Sequence, residues 1–304
     1  MAGMSYTTGG KNTGSLVYSD DQGATWHRGA TDTSTSDLMN PQEISVTELK
    51  DGRIYAAARN DANGDDKCLA DGTHNRAFAI SSDGGATFSS KFAFATDLVT
   101  PTVEGSTARM SATDTGAKYN RIVFAAPSTC DRRKELRVHS SFDEGANWTG
   151  TAGSLLVWGQ DAAYSDMVQL SQASVGVLFE AGPEFHANDT IRYATVTETQ
   201  LGAPACGGGY GVIDSAPLGS AGTVYLSYNA SNGKNCVSAM KSANAGTATQ
   251  TSAYLEVKGS TRQTDSGAFS YFAGPVAAAA ADKCVKWGGA VDGQAYNSEF
   301  EHCG

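Results

Sequence analysis

Apolar residues fall along this chain in short runs of four to eight, many of them alternating with polar ones. ISVTEL and IYAAA flank Asp51-Gly52, while TVYLSYN and AYLEVKG alternate near the C-terminal end. Such runs predict strands rather than helices. Asp-Gly is a favoured two-residue hairpin turn. Counting outward from it sets Lys50 opposite Arg53, Leu49 opposite Ile54, Ile44 opposite Arg59 and Glu43 opposite Asn60. A second hairpin around Gln172-Ala173 sets Ser165 opposite Glu180 and Tyr164 opposite Ala181, making Tyr164 and Glu180 near neighbours. The longest wholly apolar run, Tyr271 to Ala281, contains Gly274 and Pro275 and falls short of the roughly 20 residues a membrane-spanning helix needs.

Three of the strand-like runs lead into one motif. SDDQGATW (Ser19 to Trp26), SSDGGATF (Ser81 to Phe88) and SFDEGANW (Ser141 to Trp148) all read S-x-D-x-G-x-x-(W/F), with starts 62 and 60 residues apart. The residue types describe a turn. Ser and Asp side chains cap nearby backbone N–H groups, Gly takes a positive φ, and the aromatic pins the turn to the sheet below. One such turn per sixty residues of strands suits a β-propeller.

Composition agrees: 35 Gly, 12 Tyr and 11 Phe against 7 Pro in 304 residues favour many short strands and tight turns. With 22 basic against 32 acidic residues the net charge is −10, the wrong sign for phosphate neutralisation, so nucleic acid is excluded as a partner. Six cysteines without a CxxC pair point to disulfides and an oxidising compartment rather than zinc. The sequence MAGMSYTTGGKNTG has no signal-peptide pattern, so an exported protein would begin upstream of it or have lost its leader. DANGDD lacks the ligand spacing of an EF-hand and reads as a solvated loop, and the five scattered histidines suggest no metal site and no cofactor.

The three turns resemble the Asp-boxes of sialidases. The resemblance extends from about Tyr6 to Thr197, through EISVTELKDGRIYAAARND, RRKELRVHSSFDEGANW and YSDMVQLSQASVGVLFEAG. It implies an all-β chain: the later blades of a six-bladed propeller over residues 1–203. It also implies an exo-α-sialidase that removes terminal sialic acids from glycoproteins, glycolipids and oligosaccharides, secreted and without a transmembrane segment. Family members bind the substrate carboxylate with three arginines, use a tyrosine nucleophile with a glutamate beside it, and an aspartate as acid/base. Glu43 matches the glutamate, Arg59 the second arginine, Arg133 the third with Arg132 adjacent, and Tyr164 the nucleophile. A neutral phenol avoids the repulsion that a carboxylate nucleophile would meet from the substrate's own carboxylate. The first arginine and the acid/base aspartate have no counterpart in these 304 residues, which supply roughly three of six blades. A glycan-binding module without catalysis is the competing reading.

If Arg59 and Arg133 share a pocket, Cys68 and Cys130 lie close enough for a bridge, with two free thiols as the alternative. After Gly202-Ala203-Pro204 the composition shifts. CGGGYGVIDSAPLGSAGTVYLSYNASNGKNC and FAGPVAAAAADKCVKWGG resemble spore-associated protein A, a family of small secreted bacterial proteins. That resemblance implies a disulfide-bonded β domain over 204–304. Joining its two ends favours Cys206–Cys303, leaving Cys236–Cys284.

Overall fold

The computed structural model describes residues 1–8, 11–32, 38–64, 68–117, 119–206, 210–244, 247–269 and 272–304. Asp65 and Asp66 of the DANGDD loop, the Gly207–Gly209 run and Tyr271 lie outside them. The chain divides into two compact units, Met1–Thr197 and Glu198–Gly304.

The first unit is a succession of antiparallel sheets, the blades of an unclosed propeller. Strands β1 (Ala2–Thr8), β2 (Lys11–Tyr18) and β3 (His27–Asp32) make the first. The second comprises β4 (Pro41–Glu48), β5 (Ile54–Asn60), β6 (Arg76–Ser81) and β7 (Ala93–Phe94). The third joins β8 (Ser106–Ser111), β9 (Arg121–Pro127), β10 (Lys134–Ser141), the long β11 (Leu155–Ser171), β12 (Ser174–Gly182) and β13 (Thr190–Thr197). Apolar side chains fill the space between sheets: Leu16, Ala30 and Ala56 join the first two, and Leu49, Tyr55, Ile122, Phe124 and Trp148 the second and third.

All three repeat turns have one hydrogen-bond pattern. In the third, Ser141 Oγ donates to Asp143 Oδ1 at 2.8 Å, and the N–H groups of Gly145 and Asn147 donate to Ser141 Oγ and Asp143 Oδ1, each at 2.9 Å. Thr25 and Thr87 take the place of Asn147 in the first two. Their bonds to Asp21 and Asp83, side chain first, hold both carboxyls down to about 2. Gly145 has φ +85°, and a Cβ there would lie 2.4 Å from the Tyr55 ring, so both conformation and packing require glycine. The aromatic position is less uniform. Trp148 is 6% exposed and packs edge-on against Tyr55 and Phe124, but Trp26 is 54% exposed. Trp148→Ala should therefore lower the urea-unfolding free energy by about 3–5 kcal/mol. Trp26→Ala should stay within about 0.5 kcal/mol, and equal effects would contradict this difference.

The second unit packs two four-stranded antiparallel sheets face to face. One holds β14 (Gly211–Leu218), β15 (Gly222–Asn229), β16 (Lys234–Lys241) and β19 (Phe272–Ala279). The other holds β17 (Thr249–Val257), β18 (Gln263–Phe269), β20 (Val285–Val291) and β21 (Gln294–Asn297). Leu218, Val224, Leu226, Val237, Leu255 and Trp287 are in their shared core.

The disulfides are Cys68–Cys130, Cys206–Cys236 and Cys284–Cys303. The expected Cys206–Cys303 and Cys236–Cys284 pairs are thus wrong, because local docking rather than end-to-end closure brings the sulfurs together. Ser238 Oγ donates to Pro204 O at 2.8 Å, holding the Cys206 segment along β16. Val285 and Glu301 exchange backbone bonds of 2.8 and 2.9 Å, bringing Cys284 beside Cys303. Among the described residues, no helix is long and apolar enough to cross a membrane.

Candidate active site

Both predicted hairpins form, and both slip from the counted register. In the first, Leu49 N–H donates to Arg53 O at 2.8 Å, so the turn encloses three residues, not two. Ile44 then faces Ala58 and Gln42 faces Arg59, with Glu43 as the extra residue of a β-bulge at φ +43°. A bulge re-aims the side chain it carries. Here it turns Glu43 toward Arg59, whose Nη1 donates to Glu43 Oε2 at 3.0 Å. Arg59 Nη2 donates to Asp61 Oδ1 at 2.9 Å, and Gln42 Nε2 holds the other Asp61 oxygen at 2.9 Å.

In the second hairpin Ser171 faces Ser174 as counted, but Ser165 faces Phe179 and Ala162 faces Ala181. Ala163 and Tyr164 therefore share a bulge opposite Glu180. The N–H groups freed there are taken by side-chain carboxyl oxygens: Tyr164 N–H donates to Glu180 Oε2 at 3.2 Å and Ser165 N–H to Glu104 Oε2 at 2.9 Å. These anchors aim the Tyr164 side chain at Glu43. The phenol donates a short hydrogen bond to Glu43 Oε1, and Arg59 Nη1 lies 3.4 Å from the phenol oxygen.

Glu43, Arg59 and Tyr164 thus meet although they are far apart in sequence. Arg133 is close enough to act electrostatically on the phenol and donates to Thr102 O at 3.1 Å. Arg132 is engaged elsewhere, with Asp161 and Glu184 each at 2.9 Å and its guanidinium 5.0 Å from the Phe185 ring centre. Two clefts meet at Glu180. One of about 270 Å³ includes Arg133 and Asn188, and one of about 220 Å³ includes Tyr164, Glu104 and Leu178. Tyr164, 37% exposed, is reachable by a ligand, whereas Arg59 is 7% exposed. Ile54 faces Ser81 and Arg59 faces Arg76, so the site and the second repeat turn occupy opposite ends of the same strands.

The electrostatics keep the phenol neutral. Burial raises the Tyr164 pKa, and the hydrogen bond and charge of Glu43 raise it further, against the lowering effect of Arg59 and Arg133. Burial draws Arg59 downward, but Glu43 and Asp61 outweigh it and keep the guanidinium charged. A neutral phenol on a carboxylate can attack an electrophile while its proton passes to that carboxylate.

Counting along the strands misses Glu104, which no local pattern marks. Burial pushes its carboxyl up to about 7 from an ordinary 4.5. His139 does the reverse: burial pulls it down to about 4 from 6.5, and its neutral ring donates from Nδ1 to Thr149 O at 2.6 Å. Folded Glu104 keeps a proton that the unfolded chain releases, so its stabilising contribution is full below pH 4.5 and lost as pH rises through 7. Folded His139 refuses a proton that the unfolded chain takes up, so its contribution is full above pH 6.5 and lost as pH falls through 4. Each shift is worth about 3 kcal/mol, and the two slopes cancel between pH 4.5 and 6.5. Urea titrations of Glu104→Gln should reveal the His139 slope as stability rising with pH across that window. A variant as flat as the parent would contradict the pairing.

The BNR repeat-like domain family matches residues 1–177, more than half of the chain. Spore-associated protein A of Streptomyces coelicolor is 42% identical over 106 residues, covering 34% of this chain and 68% of that protein. A sialidase of Vibrio cholerae is 31% identical over 182 residues, covering 54% of this chain and 22% of that protein. Among solved structures, the NanB sialidase from Streptococcus pneumoniae superposes with a TM-score of 0.48 at 19% identity, covering 64% of this chain and 28% of that one. The chain thus spans less than a third of the length of either sialidase. On these matches the chain belongs to the BNR repeat-like domain family and is sialidase-like, with a second kinship to Spore-associated protein A.

Proposed function

We propose that the first unit carries the nucleophile side of an exo-α-sialidase site acting on sialylated glycans outside the cell. The observation that carries this reading is the Tyr164–Glu43 hydrogen bond with Arg59 beside both partners. Tyr164 Oη attacks the anomeric carbon, its proton passes to Glu43, and the aglycone departs with the bonding electrons. Water then adds its hydroxyl to the anomeric carbon and gives its proton to solvent, from which the departed aglycone oxygen takes one, while the leaving phenolate recovers its proton from Glu43. Arg133 lines the cleft beside Tyr164 and, with Arg59, receives the substrate carboxylate as a charged planar fork. Three disulfides support an oxidising compartment.

The second reading is a sialic-acid-binding module, in which Arg59 and Arg133 hold the ligand carboxylate and Tyr164 does no chemistry. Leaving groups distinguish the two. General acid catalysis typically contributes about 10²–10⁴ in rate, and a nitrophenolate needs no such help. This chain should hydrolyse nitrophenyl α-sialoside slowly and leave sialyllactose intact. Binding of both without release of nitrophenol would support the module instead.

A further inference from the structure

The second unit brings together three side chains that the reading above does not use. Asp214 of β14 and Glu301 and His302 of the C-terminal segment each offer one ligand atom, all within 4.8 Å of one another. Two constraints build the cluster. A bulge between Val212 and Asp214 sets the direction of Asp214, while the Val285–Glu301 backbone pair and the Cys284–Cys303 bridge hold the tail against β20.

Each carboxylate is oriented by a donor outside the trio. Ser215 N–H donates to Asp214 Oδ1 at 2.7 Å, leaving Oδ2 for His302 Nε2 at 3.0 Å. Glu301 Oε1 accepts the indole N–H of Trp287 at 2.7 Å, and Trp287 is completely buried. The second oxygen of Glu301 is left for a further partner. A core indole holding one oxygen of a half-buried glutamate is more than a surface ion pair requires. Donors placed behind ligands are the usual support of metal sites. Two carboxylates and one imidazole thus converge as a mixed oxygen and nitrogen donor set. The nearby Tyr296 phenol registers their field, pushed up by burial first and then by the charges of Glu301 and Asp214.

We propose that Asp214, Glu301 and His302 bind a divalent transition metal, with Zn²⁺ the best match. One imidazole nitrogen and two carboxylate oxygens suit Zn²⁺, with a fourth position for water, whereas Ca²⁺ and Mg²⁺ prefer six or more oxygens. On binding, neutral His302 gives the Nε2 lone pair to the metal and carries its proton on Nδ1. The metal ties the end of the chain to β14, independently of the sialidase-like site.

The test uses the untagged 304-residue chain, stripped with a chelator and titrated calorimetrically with ZnCl₂ or MgCl₂. One Zn²⁺ per chain is expected, with little response to Mg²⁺. Tryptophan fluorescence should change in step, since Trp287 donates to a ligand. His302→Gln and Asp214→Asn should each weaken Zn²⁺ binding by at least about tenfold. His186→Gln, in the other unit, should leave it unchanged. If one variant misfolds by circular dichroism, the other gives the same reading. No Zn²⁺ uptake by the parent at millimolar metal, or equal affinity in parent and folded variants, would overturn the proposal.

Discussion

Tyr164→Phe is expected to lower kcat toward a nitrophenyl sialoside by at least about 10³-fold while changing KM little. Removing a covalent nucleophile costs several orders of magnitude in enzymes that depend on one. The substitution deletes one oxygen and leaves the ring in its bulge, where Glu180 still accepts the backbone N–H. Glu43 keeps its 3.0 Å bond to Arg59, so the carboxylate-binding side of the cleft should persist. The companion Glu43→Gln keeps the shape but cannot accept the phenol's proton, and its kcat should fall as well, by a smaller factor. A Phe variant that turns over within tenfold of the parent would remove Tyr164 from the chemistry.

Replacing Cys68 and Cys130 by Ser should destabilise the first unit by about 4 kcal/mol on the chain-entropy estimate, the bridge spanning 62 residues. That is a large share of the 5–15 kcal/mol by which most domains are stable. The bridges of the second unit, spanning 30 and 19 residues, should contribute about 3–4 kcal/mol each by the same estimate. The first bridge also joins the segment after Asp61, which holds Arg59, to the segment before Arg133. Its loss should therefore raise the KM for sialosides more than it lowers kcat. Urea unfolding of the double variant beside the parent checks the energy, and a change below about 1 kcal/mol would contradict it.

What could be read from the sequence divides along the range of the interactions. The hydrogen bonds of the repeat turns were legible, because residues within seven positions of one another make them. Trp26 shows the limit of that legibility. It occupies the same motif position as Trp148, but whether a sheet lies beneath depends on a neighbouring blade, not on the motif. The hairpins were legible as hairpins, while their registers were not. Both bulges, at Glu43 and at Ala163-Tyr164, are held by partners from distant strands, and counting outward from a turn assumes a regular ladder.

The resemblance supplied Glu43, Arg59, Arg133 and Tyr164 as a set; hydrogen bonds join Glu43, Arg59 and Tyr164, while Arg133 reaches the phenol only electrostatically. Glu104 and Asp61 were not found, although each holds a member of the set or the residue next to it. Cys68–Cys130 formed, one of the two outcomes left open by the idea that two arginines share a pocket. The tail pairing failed because pairing the ends ignored which strands lie beside them. Asp214 and His302 were likewise invisible as partners, being 88 residues apart.

The most direct test of the central claim is to expose the chain to a 2,3-difluorinated sialic acid and map the product by peptide mass spectrometry. The fluorine beside the anomeric centre slows breakdown of a glycosyl intermediate, so a covalent adduct accumulates on the nucleophile. An adduct on the phenol of Tyr164, absent in Tyr164→Phe, is the predicted result. An adduct on any other residue, or turnover of the nitrophenyl sialoside with no adduct at Tyr164, would contradict the account.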